Sequence, residues 1–201
     1  MGKSREQTIE NILEAAKKKF GERGYDGTSI QEIAKEARAN VAMVSYYFNG
    51  KENLYLEVFK KYGFAKKLPN FLEETQHNSR NALRQYLTFF ITHIKQHPEI
   101  GALVYEEILK ESSRLEKIKP YIIGNFEQLK QILLKGKEQG VFHFFSTNHA
   151  IYWITSIVLF PKFKKFIDSI DQKDADDMKT EWITDDLVNR IISSLIHNPT
   201  L

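Results

Sequence analysis

The sequence predicts an all-α protein. An N-terminal three-helix domain is joined by a linking helix to a larger C-terminal helical domain, with about nine helices in all. Three observations carry this expectation. Apolar residues recur at steps of three and four along most of the chain, the period of a helix with one buried face. No stretch alternates apolar and polar residues with the period of two that strands show. The breaks between periodic segments hold Gly, Pro, Asn or Asp, which end helices or make turns.

The first helix is capped by Ser4 and runs to about Glu22, with Ile9, Ile12, Leu13, Ala16 and Phe20 as its buried stripe. Gly21 and Gly24 are expected to close it, and Tyr25-Asp26-Gly27 is turn chemistry. The stretch Thr28–Lys51, TSIQEIAKEARANVAMVSYYFNGK, then holds two short helices. In the first, Ile30, Ile33, Ala34 and Ala37 share one face, and Ser29 with Glu32 fits a capping box. The second covers about Val41–Tyr47 and is preceded by Asn40, whose side-chain oxygen can accept orphan backbone N–H groups. A helix this short is not stable alone in water, so its neighbours must hold it by packing. Two short helices at an angle, the second capped and exposed, are the layout of a helix-turn-helix.

Lys51-Glu52 starts a fourth helix with Leu54, Tyr55, Val58, Phe59 and Tyr62 on its apolar side, and Pro69-Asn70 breaks the chain after it. The expected division is 1–50 for the helix-turn-helix domain and 51–201 for the ligand-binding and dimerisation domain. Leu83, Tyr86, Leu87, Phe90, Ile91 and Ile94 mark a helix ending near His97, and Pro98 suits the first turn of the next. One long helix is expected over Glu116–Gln139, with Pro120 early in it and Gly140 as its stop. An apolar helix from Thr147 or Asn148 ends or kinks at Pro161. The acidic segment 168–181 reads as a loop, and a last helix covers about Thr184–His197.

Composition narrows the function. Of 201 residues, 42% are hydrophobic and 27% charged, as in soluble globular proteins. The absence of cysteine excludes disulfides and thiolate metal sites and suits a reducing cytoplasm. The charged start MGKSREQ argues against a signal peptide, and the longest apolar run, 151–160, is too short and too interrupted to span a bilayer. Net charge is only +3, but residues 1–67 hold 13 Lys+Arg against 9 Asp+Glu, whereas 68–201 hold 16 against 17. The basic excess therefore sits in the segment carrying the helix-turn-helix, where attraction to phosphate needs it.

No catalytic constellation, phosphate-binding glycine loop or zinc-type motif is present, so neither a cofactor nor a metal is expected. His93 and His97 are spaced for a metal but lack a third ligand nearby in sequence. Gly136 and Gly140 read as close packing and a helix stop. Large rings crowd the second domain, and an aromatic-rich bundle with a few polar tips suits an apolar ligand; Tyr86, Phe89, Phe90, Tyr105, Tyr121, Phe126 and Tyr152 are the candidate pocket positions. The last two helices are apolar over more of their circumference than a surface helix needs, which allows pairing with a second copy. Ile154, Val158, Leu187, Ile191 and Leu195 are the candidate dimer-interface positions. Two alternatives stand beside a DNA-binding dimer: an all-α enzyme using the aromatic pocket, and a helical interaction module.

The segment Thr28-Ser-Ile-Gln-Glu-Ile-Ala34 through Asn40-Val-Ala-Met-Val-Ser-Tyr-Tyr-Phe-Asn-Gly-Lys-Glu-Asn-Leu54 resembles the DNA-binding signature of TetR/AcrR-family transcriptional regulators. Ile12-Leu-Glu-Ala-Ala16, Phe20 and Gly24-Tyr25 match its usual lead-in. The resemblance implies a cytoplasmic homodimer that binds a palindromic double-stranded DNA operator, usually represses, and is released by a small-molecule effector. Carried over by position, it implies that Thr28, Tyr46, Tyr47 and Lys51 hold phosphates and that Gln31, Val41, Ala42, Met43 and Ser45 face the bases. Short apolar side chains there meet thymine methyls, and tyrosine hydroxyls with a lysine position a protein on phosphate. One departure is Arg38, where the family often has Gly, so this turn is expected to manage without free access to φ > 0.

Overall fold

The computed structural model describes residues 4–64, 69–159 and 184–196. Eleven α-helices are present among them: α1 Arg5–Arg23, α2 Ile30–Ala37, α3 Val41–Phe48, α4 Lys51–Tyr62, α5 Leu72–His77, α6 Ser79–Gln96, α7 Pro98–Leu109, α8 Arg114–Ile118, α9 Ile123–Glu138, α10 Thr147–Leu159 and α11 Thr184–Ile196. A short 3-10 turn covers Lys119–Tyr121, and no strand occurs among the described residues. The all-α expectation holds. The stop at Pro161, the acidic segment 168–181 and the last helix's end at His197 lie outside the described residues.

By compactness the chain divides into two units, one of residues 1–67 and 97–124, the other of 68–96 and 125–201. In the first, α1 packs on α2, α4 and α7. Ile12, Ala16, Phe20, Ile33, Val44, Leu54, Tyr55 and Phe59 are buried there, with the Phe20 and Tyr55 rings edge-on at 5.0 Å. Gly21 does not close α1 but lies inside it: a Cβ at that position would come within 2.6 Å of Glu99 Cβ, so its role is the close approach of α1 to α7. The closing residue is Gly24, whose φ of 72° favours glycine.

In the second unit, α6 packs on α5, α10 and α11. Leu83, Tyr86, Leu87 and Phe90 from α6 meet a core that also holds Leu129, Ile132, Leu133, Val188 and Ile191. A Cβ on Gly136 would collide with the Phe142 ring, which is the close packing expected of that glycine. The His143 N–H donates to the Leu195 carbonyl at 2.7 Å and ties the loop before α10 to the end of α11.

Two stretches differ from the sequence reading. The break at Pro69-Asn70 is followed at once by a short helix, α5, that the sequence reading does not include, and the long helix expected over 116–139 is instead α8, the 3-10 turn and α9. Pro120 explains the second difference, because a ring nitrogen cannot donate and forces the chain to restart its ladder at Ile123.

Candidate nucleic-acid interface

The reading end is built from caps. The Ser29 hydroxyl accepts the Glu32 N–H at 3.2 Å while the Glu32 carboxylate accepts the Ser29 N–H at 2.9 Å, the reciprocal capping box expected for α2. Asn40 Oδ1 accepts the Ala42 N–H at 2.9 Å and starts α3. Between the helices, Arg38 adopts φ 52° and ψ 43°, with its N–H bonded to the α2 carbonyls of Ala34 and Lys35. The turn therefore uses the left-handed region after all, with an arginine in it. The reason is geometric, since that C-cap is what reverses the chain from α2 into α3.

Helical periodicity sorts the α3 side chains. Val44 and Phe48, four apart, are buried, whereas Val41, Ala42, Met43 and Ser45 are exposed. Tyr46 is 80% exposed and Tyr47 half-buried, with their rings 5.3 Å apart in a T-shaped arrangement. Gln31 is exposed on α2. Thr28 departs from its expected role: its side chain is buried, and its hydroxyl bonds to the carbonyls of Gly24 at 2.8 Å and Lys19 at 3.0 Å. That hydroxyl is spent on closing the α1–α2 turn and is not presented to a phosphate. A surface hollow of ≈ 490 Å³ lies between residues 26–32 and Lys51.

Cations at this end divide into paired and unpaired. Lys18 and Lys19 bridge to Glu36, and Arg23 to Glu32. Arg5, Lys35, Arg38 and Lys51 have no ion pair among the described residues. Lys51 Nζ sits 4.3 Å from the Tyr25 ring centre, where burial lowers its pKa despite the opposing pull of Asp26. The Arg114 guanidinium also lies over the Tyr25 ring, at 4.2 Å. Its Nε donates to the buried Glu107 carboxylate at 3.1 Å, and the same oxygen accepts the Tyr55 hydroxyl at 2.9 Å. Burial and the Glu107 charge push the Tyr55 phenol far up, so it stays a neutral donor. At the start of α1, the Arg5 guanidinium lies 5.9 Å from the Tyr47 ring centre.

The candidate pocket positions are not one site. Tyr86 and Phe90 are fully buried neighbours on α6, Phe89 is half-buried, and Phe71 contacts both Tyr86 and Phe89. Phe126 is half-buried on α9, but Tyr152 is 70% exposed and so lines no interior. Tyr105, exposed, and Tyr121, half-buried, belong to the other compact unit. Among the candidate dimer positions, Ile154, Val158, Ile191 and Leu195 are buried in their own subunit and Leu187 is half-buried. The strongest periodic stripe is the one that α10 and α11 turn onto α6. Among the described side chains, the apolar ones left on the outside of α10 are Tyr152, Trp153 and Ile157, with Phe145 fully exposed just before the helix. Among the described residues no cluster of three or more His, Asp or Glu suits a metal, and no helix is long and apolar enough to cross a membrane.

A family model for bacterial regulatory proteins of the tetR family matches residues 12–58, and a model for the tetracyclin repressor-like C-terminal domain matches residues 80–175. The chain belongs to the TetR family. It is a DNA-binding transcriptional regulator of the helix-turn-helix type. The crystal structure of HlyIIR, a hemolysin II transcriptional regulator, is 72% identical and superposes with a TM-score of 0.83, covering 97% of this chain and all of that one. Among curated proteins, the probable HTH-type transcriptional regulator YttP of Bacillus subtilis (strain 168) is 27% identical over 158 residues, 77% of this chain and 76% of YttP. The HTH-type transcriptional repressor NicS of Pseudomonas putida is 28% identical over 163 residues, with 77% and 76% covered.

The sequence reading of this TetR-family chain missed Arg5, Tyr25 and the pair Glu107–Arg114. Each acts across a long sequence separation, and only the fold brings Arg5 to Tyr47 or Arg114 to Tyr25. A partial signal existed, since Arg5 is the first residue of a helix whose lead-in matches the family's.

Proposed function

We propose that the protein is a homodimeric repressor that binds a palindromic operator and lets go when a small, largely apolar or aromatic effector binds. Residues 1–50 read the DNA, and residues 51–201 sense the effector and dimerise. The exposed face of α3 carries this reading: Tyr46 stands 80% exposed beside Tyr47 while Phe48 is packed inward. With Val41 and Met43 also exposed on the same short helix, this is more apolar surface than a lone side chain presents, and it is suited to a partner. Tyr46, Tyr47, Lys51 and Arg5 contact phosphates, whereas Gln31, Val41, Ala42, Met43 and Ser45 face base edges in the major groove. Thr28 contributes only by shaping the turn. That the relative NicS is a transcriptional repressor supports the sign of regulation.

The subunits meet through Tyr152, Trp153, Ile157 and Phe145, the apolar residues that α10 and its approach leave outside, and a two-fold axis repeats α3 at about one helical turn of DNA (~34–36 Å). Footprinting on the DNA flanking the protein's own gene tests this reading. Two protected half-sites related by inversion are expected. Trp153→Arg is expected to give monomers by light scattering and to lose the footprint. Protection of a single half-site by a monomeric wild type would overturn the dimeric reading.

A further inference from the structure

Five polar side chains are buried in the second compact unit among the described residues: Thr75, Ser79, His93, Asn125 and Thr155. Thr75 donates to the Phe71 carbonyl at 2.8 Å, Thr155 to the Ile151 carbonyl at 2.8 Å, and Ser79 to Gln139. His93 stacks on Phe89. Asn125, on α9, is fully buried, yet neither Nδ2 nor Oδ1 has a hydrogen-bond partner among the described residues. Beside it is the Tyr86 hydroxyl from α6, also fully buried and near enough to the Asn125 amide to feel it, yet without a bond of good geometry to it or to any other group among the described residues. A buried polar atom left unmade costs far more than a satisfied one gains, so two adjacent orphans in a core that satisfies its other hydroxyls mark a place built for something else.

The chemistry of that place is narrow. Asn125 offers two N–H donors and one carbonyl acceptor, and a phenol both donates and accepts. Burial pushes the Tyr86 phenol up, with Asn125 opposing, so it stays protonated at any physiological pH. No Asp, Glu, Lys or Arg is buried in this unit among the described residues, and its one buried ionisable side chain, His93, is stacked on Phe89 and not on Tyr86, so a charged group brought to Tyr86 and Asn125 loses water without gaining an ion pair there. The walls are rings: Phe71 lies 6.0 Å edge-on to Tyr86, and Phe90 5.8 Å from it.

We propose that Tyr86 and Asn125 together hold the polar group of a small effector, an uncharged hydroxyl or carboxamide that both donates and accepts, carried on a compact apolar or aromatic body. This rests on the reading of the protein as effector-responsive and sharpens it, because a purely apolar molecule leaves both orphans unsatisfied. Two variants isolate the site. Tyr86→Phe keeps the ring and deletes the hydroxyl; Asn125→Leu keeps the volume and deletes the amide. Each removes an unsatisfied group, so neither is expected to lower the melting temperature.

The test titrates the full chain with benzyl alcohol, benzamide, toluene and benzoate, following heat by calorimetry and, in parallel, release of a bound operator fragment by anisotropy. Benzyl alcohol and benzamide are expected to bind, toluene and benzoate at least about tenfold more weakly, and each variant to lose about tenfold for the two polar probes. Toluene binding as tightly as benzamide would overturn the assignment, as would variants that bind like the wild type. So would a wild type that binds neither polar probe, including one whose pair is bridged by a tightly held water that no probe displaces. The release channel separates the two readings. Polar probes that bind through Tyr86 and Asn125 without freeing DNA leave the site in place and remove its effector role. DNA freed by other small molecules equally from wild type and both variants keeps the effector reading and overturns this site.

Discussion

A single residue sets the turn between the two helices of the helix-turn-helix. Arg38 holds φ 52° where its side chain pays a steric penalty that glycine avoids, on the order of 1–2 kcal/mol. Arg38→Gly is therefore expected to raise the urea midpoint by about 1 kcal/mol of stability, less the entropy that glycine adds to the unfolded chain. An unchanged or lowered midpoint would mean the arginine side chain stabilises the turn by contacts that outweigh the strain. Glu14 gives a second residue-scale test. Burial alone would raise its carboxyl, but the bonds from Lys17 and the Tyr62 hydroxyl, at 2.8 Å each, outweigh that and hold it below the usual value of 4.5. A carboxylate with a lowered folded pKa stabilises above its unfolded pKa, and that contribution disappears as pH falls through the folded value. Glu14→Gln should thus cost stability at pH 7, by no more than about 1 kcal/mol since the group is half-exposed, and the gap to wild type should close below pH 4. A gap that persists at pH 3 in chemical denaturation would show that packing, not charge, is lost.

At the scale of elements, the buried Glu107 of α7 is the weight-bearing acid of the first unit. It is 1% exposed and takes bonds from Arg114 on α8 and Tyr55 on α4. Removing the guanidinium strands a buried charge, which costs about 3–5 kcal/mol in comparable pairs. Arg114→Ala should unfold at markedly lower temperature, and the double variant Arg114→Ala/Glu107→Gln should recover part of the loss. No recovery would mean that Arg114 acts through its stacking on Tyr25. Much of this scale was legible in the sequence. The capping residues Ser29, Glu32 and Asn40 announce α2 and α3 because caps are local chemistry, and Val44 and Phe48 show as core by their spacing. The interface positions expected on α10 and α11 are mostly buried within the chain itself, because periodicity reports the most strongly apolar stripe, which is the one the subunit buries for itself. Pocket candidates were picked by residue type alone, and type does not distinguish the buried Tyr86 from the exposed Tyr152. Arg5 over Tyr47 and Arg114 over Tyr25 depend on tertiary placement and leave no local trace.

At the scale of the whole molecule, the proposed interface implies an affinity for DNA set by charge more than by base-edge hydrogen bonds. Of the residues proposed to face bases, Val41, Ala42 and Met43 cannot hydrogen-bond through their side chains with useful strength, so phosphate contacts and DNA shape carry most of the binding. Arg5, Lys35, Arg38 and Lys51, unpaired among the described residues, are the cations free to do this. Each phosphate neutralised steepens the salt dependence, with a slope of about −0.9 per contact on duplex DNA. The most direct measurement is the affinity of wild type, Arg5→Ala, Tyr47→Phe and Lys51→Ala for the operator fragment across a range of salt concentrations. The expected result is a linear log–log fall in wild type. The slope should become shallower by about one per bound subunit in the Arg5 and Lys51 variants, and affinity should drop at unchanged slope in Tyr47→Phe. A wild-type affinity indifferent to salt, or variants that bind like wild type, would contradict the assignment of this helix-turn-helix face to DNA.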